Sequence, residues 1–502
     1  MQKLNRANIK ALELPEGVQV GNFAKMPEKV LQFGEGNFLR AFVEWHFQQL
    51  TNAGKFDGSI VVAQPIAQGM AQMLNEQDCL YTCMLRGIQN GQLVEKYEVI
   101  TNISRALDSY SQWSELVKLA ESEDLEYVVS NTTEAGIVFD GNDRLDMAPP
   151  NSYPGKLAAL LYARYKKFDA AQDKGLVIIP CELIEHNGKT LKKVVLQLAE
   201  LWNLPAAFSQ WIESANTFVS TLVDRVVTGY PKDEIEAIWS KLGYRDDLVV
   251  AGEIFHLWVL EGPQTLANRL QFQQIGLNVV WTDDQSKYRD RKVRILNGAH
   301  TTGIPVSYQY GLDTVLEMMN DDITGRFVTG AIYEEIIPSM NDDVQALTDL
   351  ADEVVNRFKN PYIKHYLLSI LLNSSSKYRA RVLPSVLGYS DKHGKLPKRL
   401  VFSLACLLNV YSLGVIDGSV LKCKRGDEVF EMRDDLSTLQ LFVGIWQEYE
   451  QSGDLLKTAR AMLAADNVWG MNLNSISGMT EAVAGYLQAI KNSSVQEVLK
   501  GL

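Results

Sequence analysis

Apolar residues in the first half of the chain fall in short runs separated by longer amphipathic stretches. Residues 29–33 (Lys-Val-Leu-Gln-Phe), 60–63 (Ile-Val-Val-Ala), 126–130 (Glu-Tyr-Val-Val-Ser) and 176–179 (Leu-Val-Ile-Ile) read as buried strands. A strand covered on both faces loses the alternation of a half-exposed one. Residues 38–50 and 190–215 carry apolar positions at helical spacing. The first 27 residues show little pattern and predict an extended lead-in, and residues 253–259 predict a single return strand. After residue 292 the pattern turns helical, over 332–337, 344–358, 400–412, 439–449 and 479–490, with Gly303 and Pro305 punctuating the first helix. Strands alternating with helices, then helices alone, predict an α/β fold. A Rossmann-like domain is expected over 1–284 and a mostly α-helical domain over 285–502, with the charged passage 281–291 as the boundary.

The length agrees with this division, because 502 residues exceed what one core ordinarily serves. The 46% hydrophobic and 22% charged fractions are those of a globular protein. A net charge of −12 argues against nucleic acid or an anionic membrane as partner. No run of about 18 uncharged apolar residues predicts a membrane span. The N-terminus carries no apolar run of signal-peptide length. The five cysteines lack Cys-x-x-Cys spacing, so neither a disulfide framework nor a zinc knuckle is expected, and a reducing cytoplasm fits. The six histidines include no His-x3-His pair, so no metal is expected.

Two stretches carry candidate chemistry. The first is Gly34-Glu35-Gly36, between the 29–33 strand and the 38–50 helix. Strand, glycine turn and helix is the setting of a dinucleotide fingerprint: one glycine makes the turn, and the next lets the backbone approach a pyrophosphate at the helix N-terminus. The third glycine of that fingerprint is replaced by Leu39, and the 60–63 strand ends in Gln64-Pro65 rather than an acid. The second stretch is Lys292-Val-Arg-Ile-Leu-Asn297-Gly-Ala-His300. On an α-helix Lys292, Asn297 and His300 share an arc of roughly 140°. A lysine acts as a base when desolvation or a nearby cation disfavours its proton, and Arg291 and Arg294 are the cations at hand. Asn297 and His300 then suit an oxygen that gains charge.

Lys-x4-Asn-x2-His at the start of a second domain resembles the signature of the mannitol dehydrogenase family, the polyol-specific long-chain dehydrogenases. The resemblance extends along nearly the whole chain. It includes Gly34-x-Gly36-x-Phe38-x-Arg40-Ala41, Gln77-Asp78 followed by Leu80-Tyr81-Thr82, Thr221-Leu-Val-Asp224-Arg225 and Glu253-x-Phe255-x-x-Trp258-Val259. It implies metal-free NAD-dependent oxidoreduction, with Lys292 as catalytic acid/base and with Asn297 and His300 on the reacting oxygen. It implies cofactor contacts from Gln32, Phe33, Gly34, Glu35, Gly36, Asn37, Phe38, Leu39, Arg40 and Ala41, and from Thr132, Thr133 and Glu134. It implies substrate contacts from Asn187, in a Pro180-Cys-Glu-Leu loop where the family commonly has Ser-Cys-Asp-Asn, and from Lys377 after a serine-rich turn. The chain departs from the polyol-using members. Leu39 and Phe42 stand where the mannitol and fructuronate enzymes usually carry histidines, and Ser369 and Leu372 where polyol-using members carry Arg and His. The departures point to a small hexuronate or aldonate substrate. Lys364, Lys377, Arg379 and Arg381 form a basic neighbourhood for its carboxylate, with Lys377 expected first because it falls at the family's substrate-lysine position. An intact Lys292–Asn297–His300 set favours an enzyme over a cofactor-binding sensor. Asp224 and Arg225 are expected to form a structural ion pair.

Overall fold

The four apolar runs of the first half become neighbours in one sheet. In the computed structural model, which describes residues 1–133 and 135–502, six parallel strands stand in the order Ile103–Asp108, Ser59–Gln64, Glu28–Phe33, Tyr127–Ser130, Val177–Pro180, Thr217–Phe218. Val30, Ile60, Val62, Val129 and Ile179 fill the core on one face, and Leu31, Val61, Val128 and Ile178 on the other. That two-sided burial is why these strands read as continuous apolar runs. The order reverses at Glu28–Phe33, which puts Phe33 level with Ala63 on one side and Ser130 on the other. In open α/β sheets the crevice beyond such a reversal is the ligand site.

The chain divides into two compact units, Met1–Ser286 and Lys287–Leu502. The first is the Rossmann-like unit and the second is mostly helical.

The extended lead-in is tied down: Val18–Val20 pairs with the Gln92–Ile100 strand, and Leu4 and Ile9 are buried. Other expectations need correction. The expected return strand is two strands in different sheets. Val250–Glu253 pairs with Tyr81–Gln89, whereas Leu257–Glu261 pairs with Ser220–Asp224 and Val279–Thr282. Arg225 accounts for the crossing. Its guanidinium donates to the carbonyls of Ala41 (2.6 Å), Phe255 (3.0 Å) and Ile254 (3.4 Å), and it lies 4.3 Å over the Trp45 ring. Arg225 thus holds the turn between the sheets.

In the second unit Gly303 and Pro305 do not close the first helix. Gly298–Tyr310 runs through both and ends at Gly311, whose φ of +113° suits a glycine. The Lys398–Val410 helix packs along it, and that packing offsets the ~3 kcal/mol local cost of an internal proline. A three-stranded sheet, Gly414–Asp417, Val420–Arg425 and Glu428–Met432, interrupts the helices. Among the described residues no helix is long and apolar enough to cross a membrane.

Gly188, in the first turn of the Asn187–Leu201 helix, faces backbone. A Cβ there would meet the Val219 carbonyl oxygen at 2.5 Å and the Ser220 nitrogen at 2.8 Å. Gly188→Ala should therefore lower the thermal midpoint, by the equivalent of roughly 1–3 kcal/mol. An unchanged midpoint would show that the Asn187-Gly188 pair does not bind the helix to the sheet.

Candidate active site

Gly34 closes the first strand with φ +112°, and a Cβ on it would sit 2.9 Å from the Asn131 carbonyl oxygen and 3.0 Å from Leu39 Cδ1. Conformation and space both require glycine there. Gly36 is the N-terminal cap of the helix that covers residues 37–52, and nothing lies within 4 Å of a Cβ placed on it. The helix start is therefore open to an approaching anion. Gly34, Glu35 and Gly36 line a cavity of about 460 Å³ with Asn131, Thr132, Thr133 and Tyr153, at the sheet's reversal point. Phe38 and Thr133 line a second space, of about 500 Å³, with Leu183 and Val223. A glycine cradle at a helix N-terminus beside an apolar-walled crevice fits a dinucleotide.

The remaining residues expected at the cofactor divide by burial. Asn37 is exposed at the helix start. Gln32, Phe33, Leu39, Arg40 and Ala41 are buried behind the cradle. Gln32 donates to the Gly34 carbonyl (2.9 Å) and to Glu44 (2.6 Å). Arg40 donates to the Leu248 carbonyl (2.5 Å) and to Asn37 (2.7 Å). These side chains stiffen the turn from within. The buried Glu182 carboxylate anchors the neighbouring loop by accepting from the Thr132 amide (2.9 Å), the Thr132 hydroxyl (3.0 Å) and the Ser130 hydroxyl (3.1 Å). Burial raises its pKa, which those donors oppose. Thr133 has φ +76°, an unusual conformation for a β-branched residue. Glu134 lies outside the described residues. Asn187 is fully buried. Its Nδ2 donates to the carbonyls of Pro180 and Glu182 (both 3.0 Å), and its Oδ1 accepts from the amides of Thr221 (2.8 Å) and Gly188 (2.9 Å). Its side chain ties the 180–187 loop to the next strand.

The Lys292 stretch lies in one continuous helix over residues 286–310, and Lys292–Asn297 is a π-helical turn within it. The Gly298 amide reaches back five residues to the Val293 carbonyl. In an α-helix Lys292 and Asn297 would diverge by about 140°. An i→i+5 ladder brings a residue and its fifth successor nearer to one face. Arg294, Ile295, Leu296 and Ala299 are buried, and Lys292, Asn297 and His300 are half-buried.

His300 lies flat on Phe358, with centroids 4.0 Å apart and planes 15° apart, and meets His365 edge-on at 5.2 Å. Its Nε2 is buried without a hydrogen-bond partner. Burial first, then His365, Arg357, Arg381 and Lys377, push its pKa well below the ordinary value, so the ring stays neutral. Arg291 and Arg294, the cations expected beside Lys292, each have partners of their own. Arg291 grips Asp342 through two contacts of 2.6 Å, and Arg294 donates to Ser339 (2.6 Å) and Ser385 (3.1 Å). The cations acting on His300 come from the 344–358 and 374–381 helices.

Lys377 lies not after a serine turn but within the Ser374–Arg381 helix. Its Nζ donates to the Ile370 carbonyl at 2.7 Å. Of the other basic residues, Lys364 and Arg379 are exposed, and the Arg379 guanidinium lies against Gly470. Lys377 and Arg381 are the half-buried pair. Phe358 and His365 were not foreseen at the site. A ring stacked on a histidine leaves no local sequence signal.

Residues 28–274 match the Mannitol dehydrogenase Rossmann domain, and residues 284–491 the Mannitol dehydrogenase C-terminal domain. The altronate oxidoreductase of Bacillus subtilis (strain 168) is 45% identical over 500 residues, covering 100% of this chain and 98% of that protein. That of Phocaeicola vulgatus is 44% identical over 477 residues, covering 95% and 97%. The structure of mannitol 2-dehydrogenase from Pseudomonas fluorescens, a ternary complex with NAD and D-mannitol, shares the fold, with a TM-score of 0.69, 22% identity and coverage of 100% and 99%. With both domains matched in order and relatives aligned end to end, the chain belongs to the mannitol dehydrogenase family.

Proposed function

We propose that this NAD-dependent oxidoreductase interconverts D-tagaturonate and D-altronate, with Lys292 as the proton donor and acceptor. The observation that carries the substrate is the 45% identity over the full chain with an altronate oxidoreductase. The site chemistry supports the same reaction. When bound, NADH would supply the hydride for the ketone carbon. As the C–H bond forms, the carbonyl π electrons move to oxygen, and the Lys292 ammonium gives that oxygen its proton. In the reverse direction neutral Lys292 removes the hydroxyl proton. Asn297 and His300 hold the oxygen while it carries charge. His300 is a neutral donor, because burial and nearby cations resist a second ring proton. That leaves the lysine as the group that exchanges a proton.

The backbone around Gly34 and Gly36 would hold the pyrophosphate, and Ile66, Met70 and Val138 supply apolar wall to the same cavity. Among the described residues no group of three or more His, Cys, Asp or Glu stands ready for a metal ion. The proton transfer through Lys292 calls for none.

Three outcomes test this reading. Lys292→Ala should lower kcat/KM for tagaturonate by roughly 10²–10⁴-fold while leaving NADH affinity within about twofold. Turnover near wild type would reject the lysine's role. The His300 imidazole should keep neutral ¹³C shifts from pH 8 down to pH 5, because its pKa is depressed; a midpoint near 6.5 would mean that it exchanges protons in the working range. Dialysis against EDTA should leave the rate unchanged, and loss restored by zinc would overturn the metal-free mechanism.

A further inference from the structure

Arg381 ends the Ser374–Arg381 helix, which packs against the helix carrying His300. The approach is close: a Cβ on Gly298 would stand 3.0 Å from the Arg381 carbonyl oxygen. Gly298 lies between Asn297 and His300, so the end of one helix is pinned beside the reactive turn of the other. Arg381 is half-buried. Burial lowers its pKa, and among the described residues no neighbouring carboxylate contributes to raise it. The other arginines of this region contrast with it. Arg291 has Asp342, and Arg294 has Ser339, Ser385 and Asp290. Lys377, one helical turn before Arg381, is engaged with the Ile370 carbonyl. A like-charge pair four residues apart is unfavourable by itself. A desolvated guanidinium without an anion is more so. The charges acting on His300 are the cations Arg357, Arg381 and Lys377, with Asp434 acting on Lys377, in a chain whose net charge is −12. An anion arriving at His300 would relieve each of these costs.

We infer that Arg381 binds the carboxylate of the substrate and so selects a sugar acid over an uncharged ketose, with Lys377 placed to hold a neutral oxygen. This rests on the reaction proposed above. A guanidinium presents a planar fork that a carboxylate matches with two parallel hydrogen bonds, which an ammonium cannot do. An uncharged hydroxymethyl group in the same place gains much less from it.

The test compares kcat/KM for tagaturonate and for an uncharged ketohexose in wild type, Arg381→Met, Arg381→Lys and Lys377→Met, with NADH affinity and thermal midpoint as checks on folding. Arg381→Met should lose roughly 10–100-fold on tagaturonate, chiefly through KM, and at most a few-fold on the ketohexose. Arg381→Lys should recover part of that loss, and Lys377→Met should lower both substrates alike. Equal losses on both substrates in Arg381→Met, or a charge-selective loss in Lys377→Met only, would overturn the assignment. If Arg381→Met fails to fold, a charge-selective loss in Arg381→Lys upholds the assignment and its absence rejects it. Wild type that reduces no tagaturonate sinks the reaction and the assignment together, whereas an active wild type without the charge-selective pattern sinks the assignment alone.

Discussion

The site depends on one departure from regular helix geometry. The helix over residues 286–310 buries Ile295, Leu296 and Ala299 and leaves Lys292, Asn297 and His300 half-buried, and under the proposed function these three would meet the substrate. Regular α-helix spacing spreads Lys292 and Asn297 by about 140°. The π-helical turn over Lys292–Asn297 narrows that spread. The neighbours follow from it. Gly298 admits the Arg381 carbonyl because a side chain there would collide, and Phe358 and His365 close around the imidazole. A second π-helical turn, Arg40–Glu44, lies in the helix behind the glycine cradle. There Arg40 and Glu44 turn inward to Leu248 and Tyr81.

Under the proposed function the roles would divide along the same line as the fold. The Rossmann-like unit would offer backbone amides and an open helix start to an anionic cofactor. The helical unit would supply proton transfer and the neutral donor, and it gathers cations around His300 although the chain as a whole is acidic. The burial that keeps His300 uncharged also makes an unsatisfied Nε2 costly. A reacting oxygen can satisfy it.

What the sequence made legible follows from how local each signal is. Strands buried on both faces announce themselves as apolar runs, and Gly34-x-Gly36 between a strand and a helix locates the cradle. Three features were not local. The crossing between Val250–Glu253 and Leu257–Glu261 depends on Arg225 reaching carbonyls about 30 residues away. Pro305 reads as a stop, yet tertiary packing carries the helix through it. A π-helical turn leaves no pattern of its own. The sheet over Gly414–Met432 did leave a trace, since Val420–Arg425 alternates in burial and Asp417-Gly418 is a turn signal, but its strands are short and stand among helices. Residue types at the site were legible, and their partners were not. Lys377 and Arg381 both read as cations, and only the structure shows one engaged with a carbonyl and the other half-buried with no carboxylate among the described residues raising its pKa.

The most direct measurement is NADH oxidation by the purified protein with tagaturonate, fructuronate and fructose side by side under identical conditions. The proposed function predicts the highest kcat/KM for tagaturonate, with fructuronate lower and fructose lowest. A preference for fructuronate or fructose, or no oxidation of NADH with any of the three, would contradict it.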